Sequence, residues 1–153
     1  VATLPYLGSP TSARVRGIVA AVARGRTNEE IAEDLGLSRF TIKSHLSRIG
    51  ARYGVTHRAG IVHAAYKRGD LAGLAPEPRT LPPLADRERQ VLDGMSRGLD
   101  NAAIGRELFI SEDTVKTHAR RLFRKLRARD RAHAVALGHQ HALLIAPAEL
   151  VAL

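Results

Sequence analysis

An all-α fold, arranged as two tandem four-helix domains, is predicted for this 153-residue chain by three observations. First, a shift of 73 positions lays the chain over itself. Arg24-Gly25 then meets Arg97-Gly98, Asn28 meets Asn101, Ile31 meets Ile104 and Leu35 meets Leu108. Ser38, Thr41, Lys43, His45 and Arg48 fall on Ser111, Thr114, Lys116, His118 and Arg121. The match resumes at Arg58-Ala59 with Arg131-Ala132 and at Val62 with Val135. A match of that span marks a duplicated domain rather than a shared helix. Second, apolar residues recur at helical spacing behind residues able to cap helices, and no strand pattern of any length is present. Third, AGLAPEPRTLPP, with four prolines and one glycine, separates the copies as a semi-rigid linker. The boundaries are an N-terminal segment 1–11, a first domain 12–71, a linker 72–83, a second domain 84–146 and a tail 147–153.

Each element has a local reason. In the first copy, Thr27 and Glu30 have capping-box spacing at the start of the second helix, and Gly36 suits a left-handed turn before Ser38. Ile42, His45, Leu46, Ile49 and Tyr53 form the inner stripe of the third helix. In the second copy, the first helix is predicted from about Asp86 to Arg97, with Val91, Leu92 and Met95 inward. Asp100 caps a short second helix carrying Ile104 and Leu108. Ser111 caps the third, and Glu112 and Asp113 sit in its first turn, where the helix dipole favours negative charge. Asp130 caps a fourth helix predicted to run to about Leu144.

A short helix, a tight turn and a longer basic helix make a helix-turn-helix, whose second helix enters the DNA major groove. Such a helix must be apolar on one side and cationic on the other. On the third helix of the second copy, Val115, His118, Ala119, Leu122, Phe123 and Leu126 form the apolar side. Lys116, Arg120, Arg124 and Arg127 fall opposite, with Thr117 and Arg121 beside them. Lys116, Thr117 and Arg120 are expected at base edges, with Arg121, Arg124, Lys125 and Arg127 nearer the phosphates and Thr114 at the edge of the same surface.

The stretch LADRERQVLDGMSRGLDNAAIGRELFISEDTVKTHARRLFRKLRARDRAHAV resembles the DNA-binding domain of LuxR/NarL/FixJ (GerE-like) transcription regulators. The resemblance is continuous from residue 84 to about 144 and is carried by RERQVL, SRGLDNAAIG, LFISEDTVKTH and RDRAHAV. It implies that the residues after the Val115-Lys116 pair read double-stranded DNA, which falls on Lys116, Thr117 and Arg120. It also implies a homodimer through the fourth helices. Residues 12 to about 71 resemble the family more loosely. Val15 stands where the second copy has Glu88, and His57 replaces the cap that Asp130 provides. Typical members carry one such domain behind a receiver or a small-molecule-binding domain, and these residues have neither the length nor the alternating strands for either.

The outward row is thinned in the first copy, to Lys43, Ser47, Ala51 and Gly54. Its charge lies elsewhere: residues 1–75 hold eleven basic against five acidic residues, and the remainder thirteen against ten. Two roles stay open for this copy. One is auxiliary DNA contact through Lys43, Ser44, Ser47 and Arg48. The other is docking on RNA polymerase, a sigma factor or another regulator, for which IVHAAY and the tail HALLIAPAELVAL supply apolar contacts.

Bulk properties agree with a nucleic-acid partner. The formal charge is +9 and the isoelectric point near 11, which attracts polyanions. The absence of cysteine excludes disulfides and thiolate chemistry and points to a reducing cytoplasm. No apolar run approaches the ~20 residues that span a bilayer, and VATLPYLGSP lacks the order of a signal peptide. Enzyme function is rejected because no phosphate loop or nucleophile motif occurs. His139 and His141 stand two apart on a helix and diverge, which disfavours a shared metal. No cofactor is expected.

Overall fold

The computed structural model describes residues 10–144, so residues 1–9 and 145–153 lie outside it, and with them the whole tail 147–153 and most of HALLIAPAELVAL. The described residues form eight helices and no strand: α1 (Pro10–Ala23), α2 (Asn28–Leu35), α3 (Arg39–Tyr53) and α4 (Arg58–Arg68) in the first copy, then α5 (Asp86–Ser96), α6 (Asn101–Leu108), α7 (Glu112–Leu126) and α8 (Arg131–Gln140) in the second. The capping residues act as their chemistry predicts. Thr27 Oγ1 accepts from the Glu30 N–H while Glu30 reaches back to the Thr27 N–H. Ser38 and Ser111 accept from Thr41 and Thr114, and Asp100 and Asp130 accept from Ala103 and His133. His57 caps α4 with no side-chain bond. Gly36, Gly54 and Gly69 close α2, α3 and α4 in the left-handed conformation.

The last helix is shorter than its apolar spacing predicts, ending at Gln140 instead of about Leu144. Ala142 adopts φ +54°, and the Leu143 N–H turns back to the Gly138 carbonyl at 2.8 Å. That reversal lays Leu143 and Leu144 against the core. A helix end that satisfies its last carbonyls and packs two half-buried leucines on the core outcompetes one further turn.

Within each copy, helices two and four flank a third helix seated on the first. Arg58 and Arg131, equivalent positions, make equivalent ties: Arg58 donates to Asn28 Oδ1 and to the Arg26 carbonyl, and Arg131 to Asn101 Oδ1 and to the Leu99 carbonyl. Ile18, Val22, Ile31, Ile42 and Val62 fill the first half, and Leu92, Met95, Ile104, Leu122, Leu126 and Leu137 the second.

The two copies do not hang apart on a tether. The fourth helices α4 and α8 pack on each other, and the apolar core runs through both domains. The faces expected to pair two chains are therefore paired within one. Within the 72–83 segment expected as a linker, residues 75–83 carry no helix or strand, yet they are pinned rather than free. The Glu77 N–H donates to Gln140 Oε1 at 2.9 Å and the Glu77 carbonyl meets His141 Nε2 at 3.0 Å. Its carboxylate lies 2.8 Å from His133 Nε2, 3.0 Å from Arg79 and 3.5 Å from Arg24 of α1's end. Arg79 also donates to the carbonyls of Leu126 and Arg127. Burial pushes the Glu77 carboxyl up, but His133 and Arg79 more than offset it and the net direction is down.

The junction contains a histidine pair, His63 Nδ1 and His139 Nε2 at 2.8 Å, with Tyr66 stacked on His139. Burial, with His63 and Lys67 close by, holds His139 at about 4, and burial with Lys67 also lowers His63. An unfolded histidine titrates near ~6.5. Between these values the unfolded chain binds more protons, so stability falls as pH drops through the window. The thermal midpoint is expected to decline from pH 6.5 to 5, and His139→Phe, which keeps a ring but cannot protonate, should flatten that decline. Equal slopes for the two proteins would show that the junction does not carry the effect.

Candidate nucleic-acid interface

On α7, Val115, Ala119, Leu122 and Leu126 are buried, and His118 and Phe123 half-buried. Serine at its N-cap and Glu112 and Asp113 in its first turn start the helix, and Arg127, itself left-handed at φ +52°, ends it. Thr117, Arg120, Arg121, Arg124 and Arg127 are exposed. Among the described residues, none of these four guanidiniums has an ion pair or side-chain hydrogen bond. Some arginines elsewhere in the second copy are engaged: Arg97 clamps Asp93 and Glu107, and Arg129 holds Glu30 of α2 at 2.9 Å. An unneutralised row of like charge on one rigid helix carries a repulsion that a polyanion relieves.

Lys116 is tethered to Glu112 at 3.3 Å and Asp113 at 3.6 Å. Exposed pairs of this type contribute about 0–1 kcal/mol, so exchange for a base or phosphate costs little. Thr117 Oγ1 donates to the Asp113 carbonyl, and Thr114 Oγ1 shares a hydrogen bond with Ser111 Oγ at 2.8 Å, which places Thr114 in the cap.

Lys125 departs from the phosphate-facing position expected of it. Its Nζ lies 2.8 Å from Glu88 Oε2 and 3.0 Å from the Pro83 carbonyl, and Glu88 is only 3% exposed. Glu88 also accepts from the Ala85 N–H at 2.9 Å. Burial pushes the Glu88 carboxyl up, and Lys125 together with that N–H brings it below the usual carboxylate range. The lysine stem is long enough to fold its charge back over α5, which helical spacing alone does not reveal. Lys125→Met strands a buried carboxylate and is expected to lower unfolding free energy by about 1–3 kcal/mol, read by urea titration, while DNA affinity stays nearly unchanged. A large affinity loss at full stability would return Lys125 to the DNA-facing row.

On α3 the buried stripe survives as Ile42, Leu46 and Ile49, with His45 half-buried. Burial, reinforced by Arg48 and Arg14, lowers the His45 pKa. Lys43, Ser44, Ser47 and Arg48 are exposed, and Arg48 Nε leans toward the Ser44 carbonyl at 3.4 Å. Arg39 lies over the Phe40 ring, which is 68% exposed. Phe109, in the turn between α6 and α7, was not part of the sequence-based site, yet it is 95% exposed with φ +57°. Its one sequence signal is that it takes the slot of Gly36, where the chain must turn left-handed.

The family model for bacterial regulatory proteins of the luxR family matches residues 9–65 and again residues 82–137. Among curated proteins, the chain is similar to a probable transcriptional regulatory protein NarL of Mycobacterium tuberculosis, 43% identical over 79 residues, 48% of this chain and 37% of that protein. It is similar to an uncharacterized transcriptional regulatory protein, YxjL, of Bacillus subtilis, 49% identical over 53 residues, 35% of this chain and 24% of that protein. A nitrate/nitrite response regulator protein homolog of Haemophilus influenzae is 48% identical over 61 residues, 40% of this chain and 29% of that protein. The chain thus spans between about a quarter and just over a third of these relatives' length. No solved structure matches it.

Proposed function

Because the chain belongs to the luxR family of bacterial regulatory proteins, we propose that it regulates transcription by binding double-stranded DNA, with α7 in the major groove and α3 as an auxiliary contact. The observation that carries this reading is the exposed, unpartnered row Arg120, Arg124 and Arg127 on a helix whose opposite face is sealed into the core. Lys116 and Thr117 lie in the N-terminal half of α7 and Arg120 just past its middle, and the three meet base edges. Arg121, Arg124 and Arg127 meet phosphates, and Lys125 supports the helix from behind through Glu88. The cytoplasm is where such a protein meets its DNA, and no helix among the described residues is long and apolar enough to cross a membrane.

A salt titration of binding tests both helices. Neutralising phosphates releases counterions, so the logarithm of the affinity falls linearly with log salt, with a slope of about −0.9 per phosphate contacted. Lys43→Ala is expected to reduce that slope by about one unit and to weaken protection on one flank of the footprint. An unchanged slope and footprint would remove α3 from the interface. The second reading, docking of the first copy on polymerase, a sigma factor or another regulator, draws on exposed Phe40, which stands where the second copy has Asp113. Phe40→Ala with loss of polymerase capture and intact DNA binding would favour it.

A further inference from the structure

We infer that the two copies form a pseudo-two-fold dimer inside one chain, and that one chain occupies one DNA site whose two half-sites are inverted and unequal. The second part rests on the DNA-binding reading above, and the first does not.

Three contacts locate the pseudo-axis. Tyr66 and His139 occupy equivalent positions, 73 residues apart, and their rings stack with centroids 4.7 Å apart at 12°. A residue meets its own counterpart only close to a two-fold axis, because a head-to-tail arrangement puts different patches in contact. The helix packing is reciprocal as well: α4 lies on α8, α1 lies on α8, and α5 lies on α4. The turns repeat the exchange. Gly25 of the first copy faces Arg129 and His133 of the second, and Gly98 of the second faces His57 of the first.

A two-fold between α3 and α7 sets their directions opposite, and an operator's inverted repeat mirrors such an axis. The halves are not equal. One recognition helix presents Lys116, Arg120, Arg124 and Arg127, the other Lys43, Ser47, Ala51 and Gly54. Two further ties lack a mirror image. Arg129 holds Glu30, while the corresponding positions are Thr56 and Ala103. Among the described residues, the Glu77 strap crosses from Arg24 to His133 on one side only. Glu30, bonded by Arg129 and by the Thr27 N–H, is held at about 2, so its side of this tie stays charged. The fourth helices pack on each other inside the chain, and Ala59, Ala65, Ala132, Val135 and Ala136 on them are buried, so pairing does not call for a second chain.

Two experiments on the whole chain test this. The sequence has no cysteine, so His63→Cys with His139→Cys gives a clean pair for a short bismaleimide. The expected product is a linked single chain of altered gel mobility. Linked dimers, or no linkage, would overturn the internal pairing. Sedimentation velocity of the unaltered chain addresses the same pairing without substitutions: a monomer at every concentration supports it, and a dimer contradicts it. Selection from randomised duplexes then reads the site. Expected is a dyad-related pair of half-sites at fixed spacing, one half tightly constrained and one loosely, bound by one chain. Enrichment of a lone half-site, a direct repeat or a two-chain complex would sink the inverted-site inference while leaving DNA binding intact. No enrichment of any duplex, beside a linked monomer, would instead remove the DNA reading and keep the internal dimer.

Discussion

Replacing Lys116 and Arg120 together by alanine is expected to weaken binding to the preferred duplex by about 100-fold or more. Each well-made base contact discriminates by about 1–3 kcal/mol, and every 1.4 kcal/mol is about tenfold in affinity. The fold should be nearly untouched. Arg120 is exposed without an intramolecular partner, Lys116 gives up only two exposed ion pairs, and alanine is a strong helix former. Glu112 and Asp113 keep their favourable place at the helix start. Fluorescence anisotropy at fixed salt, paired with a thermal melt, checks both halves of the statement. Full affinity in the double variant would end the case for α7 as the reading helix.

Leu122→Ala is expected to do the reverse, leaving every outward side chain in place and removing the seat beneath them. Leu122 is fully buried on the inner side of α7, the helix that packs on α5 and α6. Truncating a buried leucine costs about 2–5 kcal/mol, against about 5–15 kcal/mol for a whole small protein. Because α4 and α8 share a core, unfolding is expected as one transition that shifts as a whole. Urea titration followed by circular dichroism measures it. Two separate transitions, with only the second displaced, would show that the copies are energetically independent and that the internal junction is weak.

Much of the fold was legible because helices are local objects. Thr27 with Glu30, Ser38, Asp100, Ser111 and Asp130 cap their helices through atoms within three residues, so their roles can be read from spacing. The two faces of α7 follow from the helical period in the same way. The Lys125 ion pair and the end of α8 could not be read from spacing for the opposite reason. The partner of Lys125 is Glu88, 37 positions away, and α8 stops because Leu143 and Leu144 find a better seat against a core that spacing does not display. Phe109 escaped notice because an apolar residue in a turn carries no pattern of its own.

The sequence by itself determined that there are two copies, that each is a four-helix unit with a helix-turn-helix, and that the second copy's recognition helix is the more cationic. All three follow from residue identity and from contacts a few positions apart. Only the tertiary structure decided that α4 lies on α8, that the Pro-rich segment is a pinned strap, and that Tyr66 faces its own counterpart His139. The fourth helices are alanine-rich and apolar around most of their circumference, so their pattern announces burial without naming a partner. Which surface covers them depends on shape across 73 residues of chain, and the hydrophobic effect that drives the covering has no direction of its own.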